Sequence, residues 1–195
     1  MNPSAQRIKT KLAATGIALV ATTLVWSGGT FSAFNKTSSM PGNSVQAGTV
    51  VLADNDAGTG LLTIAAAKPG DSSTGCINVS YTGTAPSTVR LYGTIGGTGL
   101  APYLTLVVTR GTFTGTPAAG SCTGFTADSG GGILYNGLLS AFPTTTGTAI
   151  ADPAASWTSG DKRGYKLQVT LPAGAAAGAQ GLTATSVFTW QAVSS

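Results

Sequence analysis

Two-residue alternation of apolar and polar positions dominates the chain. Over 165–171, Tyr165, Leu167, Val169 and Leu171 share one side while Lys166, Gln168 and Thr170 share the other, the pattern of a half-buried strand. The C-terminal run repeats it: Leu182, Ala184, Ser186, Phe188, Trp190 and Ala192 oppose Thr183, Thr185, Thr189 and Gln191, with Val187 out of phase. Further strands are predicted over 44–53, 61–66, 76–82, 88–95 and 103–112. Turn chemistry separates them: Asp54-Asn55-Asp56 with Gly58 and Gly60, then Lys68-Pro69-Gly70-Asp71, where Pro presets φ and Gly supplies φ > 0.

One stretch breaks the rhythm. Leu134, Leu138, Leu139 and Phe142 recur at helical spacing before Pro143, which predicts a short helix or turn over 133–142. The Thr-, Ala- and Pro-rich segment 143–160 then reads as an exposed loop, with Trp157 as a candidate contact residue and Trp190 as core. The sum is an all-β fold: an antiparallel, jelly-roll-like β-sandwich with one short helix.

The apolar run at 12–26 is of another kind. It follows Arg7, Lys9 and Lys11 and leads through mostly small residues to Ala33, the layout of a secretory signal peptide. A spanning helix needs about 20 apolar residues, whereas this run is shorter and carries Thr15, Gly16, Thr22 and Thr23. The reading is therefore a signal-peptide helix at 1–33, cleavage between Ala33 and Phe34, and a single domain at 34–195 whose first residues, 34–43, form a flexible segment. The protein is expected to be secreted, extracellular or on the cell surface, with no membrane association after processing.

Cleavage changes the charge picture. The net charge of +4 rests largely on Arg7, Lys9 and Lys11, so the mature domain is nearly neutral and lacks the basic footprint of a nucleic-acid binder. Only 8% of residues are charged and 28 are Gly, a composition suited to strands and turns rather than helices.

Candidate chemistry is sparse. The chain has no His, and its six acidic residues are all Asp, which removes Ser-His-Asp triads, HExxH zinc sites and Glu pairs for glycoside hydrolysis. No enzyme activity, cofactor or metal is expected. Most of the Asp residues lie in predicted turns, where a carboxylate serves the backbone. Asp54-Asn55-Asp56 opens like a calcium loop, but Gly58 and Ala65 stand where further ligands belong. The loop containing Gly93, Gly96, Gly97 and Gly99 lacks the Lys of a phosphate-binding loop. Cys76 and Cys122 suit a disulfide in an oxidising compartment, with two separate thiols as the alternative.

Three ordered segments, GGTFSAFNKTSS, NSVQAGTVVL and AAAKPGDSSTGCINVSYTGT, resemble the TasA/camelysin family of bacterial secreted proteins over about residues 12–84. Thr30-Phe31-Ser32-Ala33-Phe34 resembles that family's SipW-type cleavage region, the stretch from Gln46 to Leu52 its first strand, and Lys68-Pro69-Gly70-Asp71 its turn. The resemblance implies a jelly-roll-like sandwich and fibres in which an N-terminal segment adds as a strand to the next subunit. Phe34, Asn35, Lys36, Ser44 and Val45 then mark the candidate assembly segment, with other copies of the chain as partners and a signal peptidase acting during export. The family's metallopeptidase label does not carry over, since His and Glu are absent. The expected function is a self-associating structural protein of the cell surface or biofilm matrix; the alternative is a monomeric extracellular binding or adhesion module.

Overall fold

The computed structural model describes residues 38–40, 43–45, 50, 52–55 and 67–194. Contacts divide the chain between Ala47 and Gly48. In the first unit, β1 (Ser38–Met40) and β2 (Asn43–Val45) form an antiparallel hairpin with Ser38 opposite Val45 and Met40 opposite Asn43. Ser44 and Val45 therefore lie in a strand. Ala33, Phe34, Asn35, Lys36, the signal-peptide helix and the strand expected over 61–66 all lie outside the described residues.

The second unit is an antiparallel β-sandwich. Its larger sheet runs β3 (Leu52–Ala53), β4 (Ser72–Tyr81), β10 (Lys162–Thr170), β6 (Thr105–Phe113) and β7 (Phe125–Ala127), and β8 (Ile133–Leu138) also pairs with β6. The smaller sheet is β11 (Thr185–Ser194), β5 (Ser87–Gly96) and β9 (Ile150–Ala151). Alternation decides the faces. Ile77, Val79 and Tyr81, Leu106 and Val108, and Leu167 and Val169 bury one side of the larger sheet in a single cluster with Val89 and Leu91 of β5. The phase read for 165–171 and for the C-terminal strand holds, and Val187, the residue out of phase, is 64% exposed.

Close packing also uses missing side chains. Gly111 and Gly164 face each other across β6 and β10, and a Cβ on Gly164 would come 2.8 Å from the Phe113 ring. The rings of Phe113 and Phe125 occupy that space edge to face at 5.5 Å.

The helix expected over 133–142 is not formed. Ile133–Leu138 pairs with β6, and only Leu139–Ala141 makes a single 3-10 turn. So short a run cannot sustain an isolated helix, and pairing with β6 satisfies its backbone instead. Leu139 and Phe142, three residues apart, still reach the core together, because side chains at that spacing align in a 3-10 turn.

The segment at 143–160 is largely exposed, as expected, but it is a strap rather than a free loop. It runs along the outer edge of β5: the Gly93 amide donates to the Pro143 carbonyl at 2.9 Å, the Asp152 amide to the Val89 carbonyl at 2.9 Å, and Ser87 and Trp157 exchange bonds at 3.0 and 2.7 Å. Edge amides and carbonyls demand partners, and the strap supplies them. Trp157, expected as an exposed contact residue, is completely buried.

Cys76 and Cys122 form a disulfide, with Cα atoms 5.0 Å apart. It ties the loop before β7 to the outer edge of β4, where the Cys76 amide also donates to the Gly120 carbonyl at 3.1 Å. A disulfide accords with a non-reducing environment. Among the described residues no helix is long and apolar enough to cross a membrane.

Candidate functional site

Arg110 continues the inward phase of Leu106 and Val108 on β6, and Tyr165 stands opposite it on β10. A guanidinium in a core-facing position must be paired to offset lost hydration. The strap delivers the partner. Asp152, whose side chain is 2% exposed, accepts from Arg110 Nε and from the Tyr165 hydroxyl, each at 2.7 Å. Its other oxygen accepts from Trp157 Nε1 at 3.1 Å and the Ala154 amide at 2.9 Å. Arg110 Nη1 also bonds Asp128, from the loop between β7 and β8. One carboxylate thus ties the larger sheet to the strap.

The titration behaviour follows. Burial alone would lower the Arg110 pKa, but Asp152 and then Asp128 outweigh it, so the guanidinium is held charged more firmly than usual. Burial pushes the Tyr165 hydroxyl up, and the Asp152 charge and hydrogen bond add to the shift against a smaller opposing effect of Arg110. Tyr165 therefore keeps its proton and serves as a hydrogen-bond donor to Asp152.

Above this network lies a groove of about 730 Å³, lined by Arg110, Thr112, Asp128, Ser129, Ile133 and Arg163 among others. Arg163 lies over the Trp157 ring at 5.5 Å, donates to the Lys162 carbonyl at 2.7 Å, and approaches Asp161 at 3.7 Å. The groove offers fixed hydrogen-bond donors and acceptors beside apolar surface.

The other sequence candidates resolve into structure. Asn55 accepts from the Asn78 amide at 2.8 Å and donates to the Pro117 carbonyl at 3.1 Å, so its side chain bridges β4 to the disulfide loop. No group of three or more metal-ligating His, Cys, Asp or Glu side chains occurs among the described residues. Asp71 accepts from the Lys68 amide at 2.8 Å and Asp161 from the Thr158 amide at 2.6 Å, as turn carboxylates should. Asp128 departs from that reading by serving Arg110, and Asp152 serves Arg110 as well as its own turn at Ala154. The signal available for them was Arg110 itself, a cation in phase with two core aliphatics; nothing local marks which Asp returns to it. Comparison with protein-family models and with curated proteins finds no match for this chain.

Proposed function

We propose that this chain is a secreted, non-enzymatic structural protein of the cell surface or biofilm matrix, TasA-like in role, whose subunits join by strand addition. The observation that carries the reading is the outer edge of β11. Among the described residues this ten-residue strand bonds only to β5. Its sequence, TSVFTWQAVS, contains no Pro and no charge, the devices that blunt edges against association. Main-chain pairing of an incoming strand to such an edge is β-augmentation. The donor is the N-terminal segment marked by Phe34, Asn35, Lys36, Ser44 and Val45, and strand geometry at Ser44 and Val45 suits that role. The family resemblance over residues 12–84 points the same way.

Size-exclusion chromatography and electron microscopy of protein beginning at Phe34, beside protein beginning at Gly48, test the reading. The longer form assembles and the shorter stays monomeric; monomer in both overturns it. Ala33→Asp blocks maturation, which mass spectrometry of the released chain reads directly.

A further inference from the structure

We infer that the groove over Arg110 is a binding site for a neutral saccharide. Three features of the lining carry this: unspent hydrogen-bonding capacity, charge balance and shape.

Arg110 has five N–H donors. Nε goes to Asp152 and one Nη1 hydrogen to Asp128; no acceptor among the described residues takes the rest. The one buried side-chain polar atom without a partner among the described residues is Trp190 Nε1, so Arg110 Nη2 and its two N–H donors are not sealed inside. They open on the groove that Arg110 lines. Beside them, Asp128 is bonded through Oδ2 alone, and its side chain is 29% exposed. Thr112 and Ser129 add hydroxyls that donate or accept. A donor and an acceptor held side by side by an ion pair match the adjacent hydroxyls of a sugar ring, with no rotamer entropy left to lose.

The charge balance rejects the obvious alternative, an anion. Two guanidiniums, Arg110 and Arg163, face three carboxylates: Asp152 and Asp128 on the first, Asp161 near the second. A phosphate or uronate would meet guanidiniums that these carboxylates already neutralise. A simple cation would meet the guanidiniums. A polyhydroxylated neutral ligand avoids both penalties.

Shape completes the case. Gly130 and Gly132 leave one wall without side chains, while Leu134 and Pro153, with Ile133 at 57% exposure, supply apolar surface for the C–H face of a ring. The volume lies within the range of small-molecule sites. This inference does not depend on fibre formation.

The test is an amide-resolved NMR titration of the full chain as secreted. The probes are cellotriose, maltotriose, mannotriose and tri-N-acetylchitotriose, with trigalacturonate and trilysine as charged comparators. At least one neutral trisaccharide shifts the Gly130, Gly132, Ile133 and Leu134 amides with a dissociation constant of about 1 mM. Asp128→Asn weakens it about tenfold, the loss of a charge-assisted hydrogen bond. Ser129→Tyr, at an exposed position, fills the groove and abolishes the shifts while the rest of the spectrum stays unchanged. The inference is overturned if no neutral trisaccharide moves those amides, if the shifts survive Ser129→Tyr, or if trigalacturonate binds more tightly than every neutral probe.

Discussion

The smaller sheet has two long strands whose outer edges are treated in opposite ways. Beyond β5, the strap from Pro143 to Trp157 meets the edge with paired backbone bonds and is pinned by Asp152 to Arg110 and Tyr165. Beyond β11 no described strand lies, and Val187 and Val193 stand 64% and 43% exposed on it. Conformational cost separates the two. Ordering a long irregular segment is expensive, and β5 gets it because a buried carboxylate with four donors holds the segment down. Among the described residues no comparable anchor lies beside β11. An edge without charge or Pro is open to association, so among the described residues one edge is covered and the other is not.

That contrast can be broken most forcefully from the strap side. Asp152→Ala leaves the Arg110 charge buried with only Asp128 and strips Trp157 Nε1 and the Tyr165 hydroxyl of their acceptor. A cost of about 4 kcal/mol is expected from uncompensated charge, read as a lower urea midpoint; a loss below about 1 kcal/mol would show that the strap holds without its anchor. Replacing Cys76 and Cys122 together by Ala removes the analogous clamp on β4. It should cost about 4 kcal/mol by the loop-entropy estimate, and thermal unfolding with and without reductant measures it.

The β11 edge should respond in the other direction. Val187→Lys with Val193→Lys leaves stability within about 0.5 kcal/mol but prevents assembly, as edge charges do. Electron microscopy decides it, and undiminished fibres would remove β11 from the account.

The smallest effect belongs to Asp161, at the strap's end. The Thr158 amide holds this carboxyl below its usual range against an opposing effect of burial, with smaller help from the Thr158 hydroxyl and Arg163. A lowered folded-state pKa stabilises the fold above the unfolded value, near 3.9, and that contribution fades as pH falls through the folded value. Asp161→Asn should therefore be slightly less stable than the parent at neutral pH and should converge with it in acid; a constant gap across pH would contradict the assignment.

Much of the sandwich was legible because strand alternation is a local signal. The phases of 165–171 and of the C-terminal run, the turn at Lys68-Pro69-Gly70-Asp71 and the exposure of Val187 follow from side chains pointing alternately to two faces. Segment 133–142 was misread for a related reason: four apolar residues at helical spacing fit a strand ending in a 3-10 turn equally well, and only the waiting edge of β6 distinguishes them. Trp157 was misplaced because a loop composition says nothing about which side of the loop the core lies on.

The sequence by itself determined an all-β chain, the inward and outward faces of its strands, and two cysteines as candidates for pairing. All of these rest on residue type and short-range periodicity. Tertiary structure alone decided that Arg110 meets Asp152, 42 residues away, that the strap closes β5, and that a groove opens above them. A buried charge needs a counter-charge, but the return path of the chain determines which residue supplies it.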